Sequence, residues 1–188
     1  NVLLTLGIRP SRPETGYGYI QMSDETVDGV TKVKVFTEKP NLDLAKVFYE
    51  SGEFLWNSGI FIWNMQSVLG AFREFLPEIT TRFDLGISDF GTDRESSFIG
   101  ENFPFCPNIS IDYGIMEKAQ NVCVQAADFG WSDLGTWGSL YDVSEKDNDS
   151  NVCLSSRALM YDSSENIVMI PKDKLVVVQG LEGYIVAE

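Results

Sequence analysis

Glu38 and Lys39 are the first candidates for chemistry, because an acid and a base stand side by side where a predicted strand ends. They belong to FTEKP, which follows the alternating run VTKVKV and precedes the helix-like run NLDLAKVF. Ligands of α/β sheets bind at the carboxyl ends of strands. There, a carboxylate could accept hydrogen bonds from sugar hydroxyls and an ammonium could neutralise a phosphate. A surface ion pair, which contributes little to stability, is the simpler explanation of this motif alone.

Two glycine-containing stretches offer polar groups for the same kind of ligand. In WNSGIF, Asn57 carries both a donor and an acceptor that suit a sugar hydroxyl, and Gly59 permits close approach of the backbone. In RPETGYGYI, Gly16 and Gly18 flank Tyr17 and could expose backbone amides to a ligand. A tight turn or a strand end would need the same glycines, so either stretch alone leaves both explanations open.

Two aspartates lie near predicted helix starts. Asp133 lies between two tryptophans in WSDLGTW. A carboxylate in such a loop can bind Mg²⁺, which proteins hold with one or two carboxylates plus substrate phosphates. Capping of the helix predicted to start near Thr136 is the alternative for Asp133. Asp112, in SIDYGIMEK, lies near a helix N-terminus, where the helix dipole favours an acid without any function.

The candidate side chains have to be positioned by secondary structure. The sequence predicts strands and helices that alternate up to about residue 148. Hydrophobic alternation predicts strands at 2–6, 19–22, 30–36, 54–63 and 122–126, with a turn over 22–29. Asn41, Asn64, Pro77 and Ser110 are predicted to begin helices. Short β-type runs follow the polar stretch KDNDSN. We therefore predict an α/β body over residues 1–148 and a β-rich appendage over residues 149–188.

The composition excludes several functional classes. The chain has 188 residues, 44% hydrophobic and 22% charged, with a net charge of −14 that lies wholly after residue 40. An acidic chain is a poor nucleic-acid binder, and its apolar runs are too short to span a bilayer. It has no histidine, which rules out Ser–His and Cys–His nucleophiles on this chain. Its three cysteines match no zinc spacing and suit a reducing compartment.

In their order, RPETGYGYI, FTEKP, WNSGIF, SIDYGIMEK and WSDLGTW resemble the C-terminal half of the catalytic domain of mannose-1-phosphate guanylyltransferases. The resemblance implies a Rossmann-like mixed-sheet nucleotidyltransferase fold, followed by a β-rich, often left-handed β-helical, region. It also implies synthesis of GDP-mannose and pyrophosphate from GTP and mannose 1-phosphate with Mg²⁺. We expect a cytoplasmic protein with no nucleic-acid or membrane partner, and a homodimer is left open.

The resemblance assigns roles to individual residues. It implies that Glu38 contacts the mannose hydroxyls and that Lys39 contacts the sugar phosphate. It makes Lys39 and Asp133 catalytic, with Asp133 as one of two metal-binding aspartates. The other expected substrate contacts share the mannose side of the pocket: Tyr17, Gly18, Asn57 and Asp112.

The resemblance is incomplete in one respect. The family's glycine-rich nucleotide signature, GGxGxRLWPLSR, has no match here, and the second metal-binding aspartate belongs to the same part of the family sequence. Thr37 and Gly114 are milder departures. We therefore expect this chain to be the sugar-phosphate half of a longer protein and to be inactive alone. A non-catalytic sugar-nucleotide-binding regulatory subunit and a nucleotidyltransferase for another sugar phosphate are the alternatives.

Overall fold

The computed structural model describes residues 2–154 and 157–188, and the chain divides into two compact units, residues 1–129 and 130–188. The first unit contains five strands: β1 (Leu3–Ile8), β2 (Tyr19–Val27), β3 (Val30–Thr37), β4 (Phe54–Ile62) and β5 (Val122–Ala127). Its helices are α1 (Leu42–Ser51), α2 (Met65–Phe75), α3 (Pro77–Asp84) and α4 (Glu95–Asn102), followed by a 3₁₀ turn (Phe103–Phe105) and a π-helical turn (Asp112–Met116).

The five strands of the first unit form one mixed sheet. They are hydrogen-bonded in the order β1-β4-β2-β3-β5, and β5 returns to pair with β1. Only the β1–β5 pair is parallel; the other neighbours are antiparallel. Alternate residues of β1 are buried, and the core includes Leu3, Ile20, Leu55 and Val124. This mixed α/β architecture confirms the predicted fold class.

The predicted turn over residues 22–29 is wrong, because β2 continues through Val27. Only Asp28 and Gly29 form the turn, with φ angles of 51° and 85°. A two-residue hairpin turn of type I′ needs positive φ at both central positions, which makes Asp-Gly a favoured pair there. Val27 therefore pairs directly with Val30 across the hairpin. The polar residues of SDET had suggested a loop, although they lie on an extended strand.

Two predicted helix starts, Asn41 and Asn64, are confirmed as capping residues. Asn41 accepts a hydrogen bond from the Leu44 amide at the start of α1, and Gly52, with a φ of 69°, ends that helix. Asn64 caps α2 in the same way. These contacts satisfy backbone groups that a helix end otherwise leaves unpaired. Apolar spacing did not reveal the buried face of α1, where Ala45 is buried and Val47 is 59% exposed.

The second unit begins with α5 (Trp137–Val143) and continues as short parallel strands. These are β6 (Val152–Cys153), β7 (Ala158–Tyr161), β8 (Ile167–Met169), β9 (Val176–Gln179) and β10 (Ile185–Ala187). One sheet has the order β10-β8-β6 and the other pairs β7 with β9, all in parallel. Strands that stack in parallel with such short connections form successive coils. The β-rich region is thus confirmed, while its functional boundary after residue 148 stays a prediction.

Two buried asparagines support the coils from inside. Asn166 donates to the Asn151 side chain at 2.9 Å and to the Leu181 carbonyl at 2.9 Å, and it accepts from the Tyr184 amide at 2.8 Å. A buried amide needs such partners, because an unpaired polar group in a core is costly.

Within the described residues, no helix is both long enough and apolar enough to span a membrane.

Candidate active site

The register of three antiparallel strands brings Gly18, Glu38 and Asn57 together. Tyr19 of β2 pairs with Thr37 of β3 on one side and with Trp56 of β4 on the other. One residue beyond these pairs, Gly18 therefore lies between Glu38 and Asn57. The Asn57 amide donates to the Gly18 carbonyl at 2.8 Å, which continues the β2–β4 ladder into this site. Three motifs that are distant in sequence thus meet at one end of the sheet.

The Glu38 side chain is buried in this corner and only 8% exposed. Its Oε1 lies 3.5 Å from the Lys39 ammonium. Its Oε2 is buried, and no hydrogen-bond partner for it exists among the described residues. A Cβ at Gly18 would overlap this oxygen and would lie 3.2 Å from the Asn57 Cβ. Glycine at position 18 is therefore what makes room for the Glu38 carboxylate.

The environment of Glu38 favours the protonated form of its carboxyl group. Burial raises the pKa of Glu38 above its ordinary value, and the nearby charge of Asp112 raises it further. The Lys39 ammonium lowers the same pKa through its charge and its hydrogen bond, and Glu117 adds a smaller upward effect. A buried carboxylate between one cation and two anions is a group that a further hydrogen-bond donor would stabilise.

Asn57 connects three elements through its side chain. Its Oδ1 accepts from the Thr5 hydroxyl at 3.0 Å and from the Gly59 amide at 3.2 Å. Its Nδ2 donates to Asp112 Oδ1 at 2.9 Å. The sequence did not indicate that Thr5 would bind Asn57, because a threonine inside a buried strand is explained by its strand propensity alone. The amide thus fixes Asp112 from β4 and keeps one further N–H for another acceptor.

Asp112 begins the π-helical turn of residues 112–116. The prediction that Ser110 begins a helix is wrong: the residue before the π-helical turn is Ile111, and Ser110 only accepts a long hydrogen bond of 3.4 Å from the Tyr113 amide. Such turns are rare and occur frequently at functional sites. The structure therefore brings Asp112 to the same corner as Asn57 and Glu38.

Tyr17 packs its ring inward. The ring is buried and meets Trp56 edge-on, with centroids 5.0 Å apart, and the Arg12 guanidinium lies 5.7 Å from the Trp56 centroid. Edge-on aromatic pairs and cations near indole rings are both favourable. The side chain of Tyr17 therefore serves the packing of the loop that presents Gly18. Contact of the Tyr17–Gly18 backbone with a sugar stays a prediction.

Asp133 belongs to the second unit, in the loop before α5. Thr136, and not Asp133, caps α5 by accepting from the Ser139 amide, so the capping explanation of Asp133 is wrong. A Cβ at Gly135 would lie 2.6 Å from Asp133 Oδ2, so this glycine lets the carboxylate fold back over the loop. A joint role with Glu38 stays a prediction.

The expectation of a bound Mg²⁺ concerns the carboxylates of the described residues. Across residues 2–154 and 157–188, no three His, Cys, Asp or Glu side chains are grouped to bind a metal ion. Carboxylate oxygens are the donors that Mg²⁺ prefers, and Mg²⁺ commonly keeps waters and substrate phosphates as its other ligands. Metal binding by Asp133 stays a prediction.

The sequence profile of the nucleotidyl transferase family matches residues 1–150, which include the residues around Glu38 and also Asp133. The chain belongs to the nucleotidyl transferase family. This membership agrees with the mixed sheet and with polar groups gathered at one end of it. The resemblance drawn from five ordered motifs is thereby confirmed at the level of the family.

Individual members of the nucleotidyl transferase family extend this finding. A Vibrio cholerae protein, provisionally named mannose-1-phosphate guanylyltransferase, is 38% identical over 187 residues, which is 99% of this chain and 40% of that protein. A Klebsiella pneumoniae mannose-1-phosphate guanylyltransferase is 37% identical over 190 residues, or 98% of this chain and 40% of that protein. The chain therefore spans about 40% of the length of these relatives.

A solved structure shows the same fold. The crystal structure described as a mannose-1-phosphate geranyltransferase from Thermus thermophilus superimposes with a TM-score of 0.83 at 32% identity. The match covers 100% of this chain and 53% of that one. Both units of the chain thus have a counterpart in a single solved protein.

Proposed function

We propose that the full-length protein transfers GMP from GTP to mannose 1-phosphate, giving GDP-mannose and pyrophosphate, and that this chain supplies the sugar-phosphate side of the site. The observation that carries the proposal is the Glu38 carboxylate, which is buried, paired with Lys39 and left with one partnerless oxygen among the described residues. The family membership and the names of the relatives give the class of reaction.

Glu38 would recognise the sugar. Its buried Oε2 needs a donor, and a sugar hydroxyl supplies one without adding charge. A neutral donor also suits the corner electrostatically, because Asp112 already places a second anion close to Glu38. The second N–H of the Asn57 amide would reach another hydroxyl, and Tyr17, Gly18 and Asp112 would complete the mannose side.

Lys39 would bind the phosphate of the sugar. Its side chain is 57% exposed, so the ammonium can move away from Glu38 Oε1, which is 3.5 Å distant, toward an anionic ligand. Lysine acts in this way as a mobile point charge on a flexible stem. The acidic net charge of the chain makes such a local cation necessary for binding a phosphate.

The chemistry needs no general base. A sugar phosphate has a second pKa near ~6, so its oxygen is already an anionic nucleophile at neutral pH. The chain's lack of histidine is therefore compatible with direct in-line attack on the α-phosphorus of GTP, without a covalent enzyme intermediate. The work of the protein is to position two anions and to stabilise charge in the transition state.

Asp133 would hold the metal ion that the proposal assigns to this reaction, Mg²⁺. When bound, Mg²⁺ would neutralise phosphate charge. The proposal places the reaction in the cytoplasm, a reducing compartment in which the thiols of the three cysteines would be kept reduced.

Pyrophosphate release by the full-length protein tests the proposed reaction. The assay contains mannose 1-phosphate, Mg²⁺ and each of the four nucleoside triphosphates in turn, with glucose 1-phosphate as the control sugar phosphate. We expect release with GTP and mannose 1-phosphate. Release only with another sugar phosphate or nucleotide would reassign the substrates. No release by a protein that still binds GDP-mannose would overturn the proposal in favour of a regulatory subunit.

A further inference from the structure

The backbone of Glu38 is held from outside its own strand. Its N–H donates to Oε1 of Glu117 at 2.9 Å. Its carbonyl oxygen accepts a longer hydrogen bond of 3.5 Å from the Tyr113 hydroxyl. These partners lie 79 and 75 residues further along the chain. The segment that follows β3 is therefore fixed by the segment around the π-helical turn, and not by the β-ladder.

The next residue explains why such a hold is needed. Lys39 has a φ of 46°, in the left-handed region, and Pro40 follows it. A non-glycine residue rarely adopts this conformation, and a following proline further restricts the residue before it to extended backbone. Strained residues persist only where the surrounding structure over-determines them, and they cluster at ligand-binding sites. The amide and the carbonyl of Glu38, directly before Lys39, are backbone groups that contacts from outside the strand hold, and the bond from the amide to Glu117 is the shorter of the two.

We propose that Glu117 is a positioning residue for the sugar-phosphate side of the site. By accepting the Glu38 amide, its carboxylate holds the 38–39 turn so that the Glu38 carboxylate and the Lys39 ammonium face the same ligand. The identity of that ligand rests on the proposed function. The role of Glu117 in holding the turn rests only on the contacts within this chain.

In this contact Glu117 acts as a hydrogen-bond acceptor. The negative charge of Glu117 beside the Glu38 carboxylate is electrostatically unfavourable, and it also repels an incoming phosphate. A glutamine at position 117 would keep an oxygen of the same reach and would remove the negative charge. The Gln variant therefore separates an acceptor role from a charge role, such as binding a cation.

The experiment compares wild-type full-length protein with Glu117→Gln and Glu117→Leu, with Glu50→Leu on the exposed side of α1 as control. Hydrogen exchange of the Glu38 amide reports the Glu38–Glu117 bond directly. Pyrophosphate-release kinetics report KM for mannose 1-phosphate and for GTP separately. We expect Glu117→Leu to raise both the exchange rate and the KM for mannose 1-phosphate roughly tenfold, with the KM for GTP unchanged. Glu117→Gln and Glu50→Leu should behave like wild type.

Several outcomes would overturn the positioning role. Equal exchange rates in wild type and Glu117→Leu would show that the bond does not hold the turn. Faster exchange without a change in the KM for mannose 1-phosphate would show that the turn is not used for binding. A Gln variant as impaired as the Leu variant would assign the effect to charge. If Glu117→Leu does not fold, Tyr113→Phe removes the second contact, and a smaller change of the same sign is expected.

Failure of the proposed function would be recognised separately. It would appear as a wild-type protein that releases no pyrophosphate with any nucleotide. The exchange rates then decide the inference alone, because they depend on the Glu38–Glu117 bond and not on a substrate.

Discussion

Gly18 separates Glu38 from Asn57, and its missing side chain lets their polar groups share one corner. Its sequence context suggested only a turn or a ligand loop. The register of β2 with β3 and β4 shows instead that position 18 faces both neighbours. Gly18 of RPETGYGYI and Glu38 of FTEKP therefore lie side by side in the structure. Neither motif alone could predict this, because the contact depends on the pairing of two strands.

Substitution of Gly18 tests this contact. We expect Gly18→Ala to lose about 1–3 kcal/mol of unfolding free energy, since its Cβ would overlap Glu38 Oε2 and crowd Asn57. We also expect a higher KM for mannose 1-phosphate. Gly16→Ala is the matched control, because a Cβ there meets its nearest neighbour, Glu14 Oε1, at an ordinary 3.5 Å. Urea denaturation of both variants gives the answer, and equal stability would contradict the packing described here.

The protonation of Glu38 should be visible as pH-dependent stability. Its folded pKa is raised above the ordinary 4.5, so the folded state binds more protons than the unfolded state between the two pKa values. The wild type should therefore lose stability relative to Glu38→Gln as the pH rises through that window. Below it, the carboxyl group is protonated in both the folded and the unfolded state, and the difference is constant. Urea denaturation from pH ~4 upward measures this; parallel stability curves would show that the pKa is not raised.

At the scale of elements, the site depends on how strands and turns meet. Caps, strand alternation and Pro-initiated helices predicted most boundaries of the first unit, because those signals are local. The extension of β2 was missed, since pairing with β3 overrides the polarity of SDET. The π-helical turn at 112–116 has no local signal, because it depends on tertiary contacts such as that between Asp112 and Asn57.

Removal of the Asn57 side chain should loosen three elements together. Asn57→Ala leaves the Thr5 hydroxyl and the Asp112 carboxylate without this partner, so we expect a loss of about 1–3 kcal/mol of unfolding free energy and a higher KM for mannose 1-phosphate. Asn64→Ala, which removes the α2 cap, is the control and should cost about 1 kcal/mol without a change in KM. A normal KM in Asn57→Ala would separate this network from substrate binding.

At the scale of the whole molecule, the second unit has its own support in a buried asparagine. Every contact described for Asn166 lies within residues 130–188, and its side chain is fully buried. The strands after the polar stretch KDNDSN were predicted because short β-type runs are a local pattern. The asparagine contacts were not, because they exist only once successive coils are stacked.

Asn166→Ala should therefore destabilise the second unit. The substitution removes a hydrogen-bond partner from the Tyr184 amide, the Leu181 carbonyl and the Asn151 side chain. One buried polar group that is left unsatisfied lowers the unfolding free energy by about 1–3 kcal/mol. We expect faster hydrogen exchange within residues 151–187. The exposed neighbour Glu165→Ala serves as control. Unchanged exchange in Asn166→Ala would contradict the supporting role of the buried amides.

The most direct test of the sugar-phosphate assignment is the kinetics of Lys39→Ala in the full-length protein, compared with Lys34→Ala, an exposed lysine of β3. We predict that Lys39→Ala lowers kcat/KM for mannose 1-phosphate. The decrease should correspond to a loss of about 2 kcal/mol or more of transition-state stabilisation, as expected when a hydrogen bond to a charged group is removed. Lys34→Ala should behave like wild type. An unchanged KM and kcat for mannose 1-phosphate in Lys39→Ala would contradict the assignment.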